Sequence, residues 1–154
     1  MGSGRGEQWV IAQLVLLAAI LLLPFGAREV WAAPLADVAR PLGLLSGAVG
    51  LLIVGVAAFY LGNNLTIFPR PKPEGTLTQS GIYAVVRHPM YCGVILSAVG
   101  WSLWQTSSLA LLVSFALILF FDRKAAQEES WLQAHYPNYA EYRRRVKKLI
   151  PFIY

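Results

Sequence analysis

The chain has 154 residues, 56% hydrophobic and 14% charged, with a mean hydropathy of +0.53, too apolar and too sparsely charged for a water-soluble domain of this length. The formal net charge of +5 sits in short basic clusters between apolar stretches, as at membrane flanks; anionic lipid headgroups are the expected partner, and nucleic acid is not. A single cysteine, Cys92, excludes an intrachain disulfide, a four-cysteine zinc site and a CxxC redox pair.

Gln8 to Ala27 carries no charge, and a helix of about 20 residues covers roughly 30 Å, the thickness of a bilayer core. Residues 8–27 are therefore the first predicted span. The rival is a secretory signal, since Arg5 precedes the apolar run and Trp31, Ala32 and Ala33 resemble a cleavage region; the length of the run and the spans that follow favour a membrane helix. A second uncharged stretch runs from Pro41 to Pro69, its helical part ending at Leu61 before Gly62, Asn63 and Asn64, which predicts a span over 41–61. Within it Gly43 with Gly47, and Ser46 with Gly50, form small-xxx-small pairs suited to close helix packing.

Pro89 to Phe121 is again uncharged but too long for one perpendicular span, and Gln105, Thr106, Ser107 and Ser108 supply a polar turn at its middle. This predicts a helical hairpin over 89–105 and 107–124. Arms of about 16 residues reach only about 24 Å, so they tilt or thin the lipid. The second arm continues as helix past Asp122.

The expected fold is all-α: a polytopic membrane protein of about four transmembrane helices, with a C-terminal helical hairpin and cytosolic tail helices. The whole of 1–154 is one membrane-embedded domain with a tail over 122–154. Its only linker-like piece is the Pro-rich segment from Pro69 to Gly75. Arg70, Lys72 and Arg87 lie in the second loop and seven Lys and Arg follow the last span, while the hairpin turn has none. The second loop, the tail and both termini are thus expected on the cytosolic side, with Arg5 near the N-terminus and Arg28 and Arg40 in the first loop.

Three stretches carry candidate chemistry. The first runs from Gly81 to Gly93 and sets polar groups just before an apolar helix. Pro89 suits the first helical turn, and His88 falls at the N-cap. The free N–H groups of that turn, with Arg87, form a receptor for a carboxylate or phosphate, and Gly93 leaves room for close approach. Against this, Arg87 alone reads as a snorkelling anchor, Tyr83 and Tyr91 as interfacial aromatics, and Cys92 as packing. The second stretch holds Glu128, Glu129 and Leu132. Neighbouring carboxylates point about 100° apart on a helix, so the two do different work, and either can share a wall with Leu132. The competing reading is a solvated face paired with Arg123 and Lys124. The third, Tyr136 to Tyr154, alternates aromatic and basic residues and predicts a short amphipathic helix on anionic lipid; Arg145 could also reach the site.

The combination Gly81-x-Tyr83, Arg87-His88-Pro89-x-Tyr91-x-Gly93, Glu128-Glu129-x-x-Leu132, Tyr139-x-x-Tyr142 and Ile150-Pro151 resembles the isoprenylcysteine carboxyl methyltransferase family. Phospholipid N-methyltransferases and, more distantly, sterol reductases are similar in parts of it. The resemblance begins around Leu61 and leaves the first span unmatched. It implies a helical membrane methyltransferase without a Rossmann domain, with S-adenosylmethionine as cofactor at the cytosolic membrane edge and a lipid-like substrate. It further implies that Tyr83, Arg87, His88, Pro89, Tyr91 and Gly93 meet Glu128, Glu129 and Leu132 around that cofactor, under a cover of Tyr139, Tyr142 and Arg145.

Methyl transfer from a sulfonium is an in-line displacement that needs alignment and exclusion of water, and no metal. Arg87 and Glu129 are the expected catalytic pair, Arg87 holding an anionic group and a Glu accepting hydrogen bonds from the cofactor. Two alternatives stand beside carboxyl methylation: methylation of a phospholipid or other amine, which needs a base, and a non-catalytic membrane scaffold whose charges are all anchors.

Overall fold

The computed structural model describes residues 6–26 and 29–154; Arg5, Ala27 and Arg28, used above for the first span and the charge count, lie outside them. The described chain is helical: α1 Glu7–Gly26, α2 Ala33–Leu61, α3 Pro89–Trp104, α4 Ser108–His135 and α5 Tyr139–Arg145, with 3₁₀ turns at Gly62–Asn64 and Gly81–Ala84. Among the described residues the only β pairing is a single parallel bridge between Val86 and Lys147.

α2 starts well before Pro41, so the second helix is longer than the span expected over 41–61. A proline at the opening of the helix sets its start, and Pro41 lies inside it. Proline fixes a helical φ and costs one backbone bond, so charge was the wrong boundary marker here: Asp37 and Arg40 are both within the helix. α4 continues past Asp122 to His135, and its N-terminus is fastened from the α1–α2 connection. There Glu29 accepts from the backbone N–H groups of Ser108 (2.9 Å) and Leu109 (3.2 Å), and Trp31 donates to Ser108 Oγ at 3.1 Å.

α2 and α3 make the closest pair, and small residues permit it. An added methyl on Gly43 would stand 2.5 Å from the Trp104 amide, one on Gly50 2.6 Å from the Gly93 carbonyl, and one on Gly100 2.4 Å from the Gly47 amide. Ser46 Oγ donates across the seam to Leu96 O at 3.0 Å. Backbones that approach this closely gain dispersion contacts that side-chain packing in lipid cannot otherwise supply. α1 lies against α4 and α3, closing a core of Ile20, Ala98, Leu117 and Phe121.

The outer surface is apolar. Ile11, Leu14, Leu22 and Phe25 on α1 are each 60–63% exposed, and Leu51, Leu52 and Phe59 on α2 are more so. Such continuous apolar area is untenable in water and belongs in hydrocarbon. α1 and α2 are long and apolar enough to cross a membrane, while α3 is a shorter apolar helix.

The seam makes a prediction. Gly100→Ala drives a methyl into the α2 backbone and is expected to cost about 1–3 kcal/mol, read as a lowered thermal midpoint in detergent. Gly55→Ala, where an added methyl meets nothing within 4 Å, is expected to leave the midpoint unchanged or raised.

Candidate active site

The backbone just before α3 is paired not with its own helix but with the tail: Arg87 N–H donates to Lys147 O (2.8 Å) and His88 N–H to Lys148 O (3.1 Å). The tail beyond α4 is therefore docked against the start of α3 rather than laid flat on lipid, and Tyr139 and Tyr142 of α5 are buried. His88 is the N-cap residue of α3, but its side chain makes no cap bond. Its ring stacks on Tyr91 (centroids 5.3 Å apart, 1° between planes) and turns toward α4, with Nε2 3.1 Å from Glu129 Oε1.

Glu129 is the centre of a buried ionic cluster. Arg87 reaches its Oε1 with Nε (2.9 Å) and Nη2 (2.8 Å), and Arg143 Nε lies 3.3 Å from Oε2. Arg87 Nη1 donates to the carbonyls of Arg143 (3.1 Å) and Val146. The Arg87 and Glu129 side chains are 8% and 4% exposed. Burial alone would raise the Glu129 pKa, but the hydrogen bonds and charges of His88 and Arg87 outweigh it and hold the carboxyl below its ordinary value. In this arrangement the Arg87 guanidinium is paired with Glu129 and two tail carbonyls. Glu129 does not border the cavity, whereas Arg87 does.

Glu128 faces the other way, as the 100° offset requires. Its Oε2 accepts from the Tyr91 hydroxyl at 2.5 Å and lies 3.8 Å from His88 Nδ1. It lines a cavity of about 470 Å³, within the roughly 300–1,000 Å³ usual for small-molecule sites. Tyr83, Arg87, His88, Tyr91, Leu132, Tyr139 and Tyr142 also border this cavity, so both distant stretches of chain contribute to one site. The Tyr142 hydroxyl donates to Tyr83 O at 2.7 Å. The Tyr139 hydroxyl is buried with no hydrogen-bond partner, an exception to the rule that such groups are satisfied. Burial pushes the Tyr83, Tyr139 and Tyr142 phenols well above their ordinary pKa, so all three are neutral at physiological pH.

Four expected site residues do not border the cavity. Pro89 is fully buried at the start of α3. Gly93 faces α2, where an added methyl would meet Gly50 O at 2.7 Å, so its close approach is to a helix. Glu129 lies behind the wall. Arg145, with a side chain 63% exposed, lies 3.8 Å from Glu141 and 3.3 Å from Gln79 Oε1, tying the tail to the second loop.

Other lining groups were not legible as such. The Pro-rich segment is a wall rather than a linker: Pro69, Pro71 and Gly75 border the cavity together with the flanking Phe68, Thr76 and Thr78, and the loop is closed on itself by Asn64, which donates to Thr76 and Thr78 hydroxyls (3.2 Å each). Gly81, at φ +59°, lies where any side chain would strike the Tyr60 ring, 2.1 Å from an added methyl. Lys124 does not pair with a Glu on a solvated face. It is 3% exposed, with Nζ 2.5 Å from Gln13 Oε1 of α1, and it also borders the cavity. Spacing offered one signal for it, since Lys124 and Glu128 are i,i+4 on α4.

Helical architecture and a cavity built from the α3 start, α4 and the tail define a class of membrane-helix fold seen before. The chain superimposes with a TM-score of 0.69 and 22% identity on a solved eukaryotic intramembrane Ras methyltransferase, an isoprenylcysteine carboxyl methyltransferase, over 99% of this chain and 55% of that one. It is 34% identical over 122 residues to the protein-S-isoprenylcysteine O-methyltransferase of Homo sapiens, covering 72% of this chain and 40% of the relative. It is 32% identical over 116 residues to a probable protein-S-isoprenylcysteine O-methyltransferase of Oryza sativa subsp. indica, covering 72% and 60%. The chain therefore spans 40–60% of the length of these two relatives. The phospholipid methyltransferase family profile matches residues 38–139, and the chain belongs to that family.

The ionic cluster makes a prediction with a defined sign. Because the folded Glu129 pKa is depressed, its contribution is present above the ordinary carboxylate range and is lost as pH falls through the lowered folded value. Thermal unfolding in detergent is expected to show this acid-limb loss in the parent and a smaller one in Glu129→Gln, where Asp122 still contributes. At neutral pH that variant is expected to be less stable by about 3–5 kcal/mol, since Arg87 is left buried without its counter-ion.

Proposed function

We propose that the chain is a membrane-embedded methyltransferase that uses S-adenosylmethionine and esterifies the carboxylate of a lipid of the isoprenylcysteine type. Family membership and the likeness to isoprenylcysteine methyltransferases support the reaction class. The observation that carries the reading is the buried, unpartnered Tyr139 hydroxyl sharing a cavity wall with the Glu128 carboxylate. A purine nucleoside bearing an ammonium, a carboxylate and ribose hydroxyls fits such a wall: Glu128 accepts from its donors, Tyr139 supplies the missing hydrogen bond, and the aromatic side chains suit the purine. Bound there, the cofactor supplies a methyl carbon on a positively charged sulfur.

The chain's own residues bind, orient and exclude water. Arg87, His88 and Glu129 hold the α3 start, α4 and the tail in one arrangement, so they position the wall rather than touch the ligands. The loop through Phe68 and Thr78 shields the cavity from solvent. A carboxylate acceptor is already ionised at neutral pH and needs no base, so the absence of a general base from the scheme is chemically sound.

For topology we infer a bundle in which α3 and the apolar part of α4 cross with α1 and α2. The second loop and the tail face the cytosol, because Arg70, Lys72 and the exposed Arg143, Arg144 and Lys147 gather there while the α3–α4 turn carries no cation. Those exposed tail cations suit anionic headgroups.

Calorimetric titration of the detergent-solubilised chain is expected to show binding of S-adenosylmethionine and of S-adenosylhomocysteine, weakened about tenfold or more in Glu128→Gln, the loss of one charge-assisted hydrogen bond. Labelled methyl transfer to an N-acetylated S-isoprenyl cysteine is expected to give a base-labile ester. A base-stable methylamine on extracted lipid would instead assign amine methylation, and a folded sample that binds neither cofactor nor product is a scaffold.

A further inference from the structure

One helical turn before Glu128, the cavity meets a further charge, the Lys124 ammonium. The Lys124 ammonium has three donors. One goes to Gln13 Oε1 at 2.5 Å; the other neighbours given by the geometry are the ring faces of Tyr91 and Phe121, at 5.2 and 5.9 Å. Glu128 spends Oε2 on the Tyr91 hydroxyl, and among the described residues no carboxylate forms an ion pair with Lys124. Arg87, by contrast, is neutralised by Glu129. Glu128 acts on the Lys124 ammonium through space without touching it, so Lys124 is the buried cation of this cavity left without a carboxylate in direct contact. A buried charge in that condition is costly unless an anion completes it.

The position of Lys124 says which part of a ligand meets it. Val94 borders this cavity and also a second, apolar one of about 330 Å³ between α1, α2 and α3, lined by Leu17, Ile20, Leu51, Val54 and Trp101. Lys124 lies over the Tyr91 ring, one turn of α3 from Val94, and so stands toward the side of the cavity that adjoins this apolar groove. An anionic headgroup with a hydrocarbon tail has the same order of parts.

We infer that Lys124, steadied by Gln13, anchors the carboxylate of the lipid acceptor while the tail lies past Val94 in the groove between α1, α2 and α3. This rests on the methyl-transfer reading and deepens it, because a fixed cation at this point favours an anionic acceptor and disfavours an ammonium one. It also bears on turnover. In esterification the carboxylate oxygen gains the methyl carbon, the donor's carbon–sulfur bond breaks with its electron pair left on sulfur, and no proton moves. The ester is neutral, so the product loses its hold on Lys124 as it forms.

The cofactor also carries a carboxylate, and the experiment separates the two sources. Full-length parent, Lys124→Met and Lys124→Arg are compared in detergent, with calorimetric binding of S-adenosylmethionine and, without cofactor, of an N-acetylated S-isoprenyl cysteine as free acid and as methyl ester. Steady-state kinetics with the acid are measured alongside. In Lys124→Met the Kd and KM for the acid are expected to rise about tenfold or more, a change of about 1.4 kcal/mol, with the cofactor Kd held within about twofold. Lys124→Arg is expected to recover most of the loss, and the ester is expected to bind parent and Lys124→Met alike. A weakened cofactor Kd with unchanged acid binding assigns Lys124 to the donor's carboxylate and overturns the inference. Equal binding of acid and ester by the parent overturns it too, and that comparison stands even if Lys124→Met does not fold. Failure of the parent itself to bind cofactor or transfer methyl is a different result, which removes the methyl-transfer reading.

Discussion

The buried contact between Arg87 and Glu129 is the constraint on which the site depends. It joins residues 42 positions apart, and it also gathers the tail, because Arg87 donates to two tail carbonyls and Glu129 receives Arg143. Buried ion pairs add little net stability over apolar packing, but a broken one is severely penalised. Such a contact therefore acts mainly as a specifier. With Arg87 satisfied, the α3 start, α4 and α5 adopt one relative placement, and the cavity wall of Tyr83, Glu128, Tyr139 and Tyr142 follows from it.

Behind that wall the α2–α3 seam does a different job. Glycines at 43, 50, 93 and 100 let two backbones come within van der Waals contact, which fixes the level of the α3 start relative to the loop that leaves α2. The loop from Leu65 to Thr78 can then reach back across the cavity and be closed by Asn64. Packing without side chains at the seam and hydrogen bonding at the loop thus act on the same enclosure from opposite sides.

Much of this was legible in the sequence where a periodicity carried it. Uncharged runs located the helices, the Gln105–Ser108 cluster located the hairpin turn, small-residue spacing marked the seam, and the 100° offset required Glu128 and Glu129 to part. What was illegible has a common cause. The start of α2 is set by proline geometry inside a charged stretch; the tail is docked through backbone carbonyls of Lys147 and Lys148, which leave no side-chain pattern. The loop's closure depends on Asn64 meeting Thr76 and Thr78 across a gap without regular spacing. Lys124 ends an apolar run, where a lysine reads as a membrane flank, and only its contact with Gln13, 111 positions away, shows that it turns inward. Arg87 and Glu129 are singled out by their pattern, but their mutual pairing is a three-dimensional fact that no spacing carries.

The pairing of Arg87 and His88 with Lys147 and Lys148 also sets an order of events during biosynthesis. Chains emerge N-terminus first at about 5–20 residues per second, so the start of α3 is made several seconds before the segment 60 residues later that satisfies its amides. Throughout that interval α3 and α4 are still being completed, the cavity lacks one side and Arg87 lacks the carbonyls that complete it. The helices of a nascent chain are consequently made before the site they carry is complete, and the enclosure matures only when the last segment returns to close it.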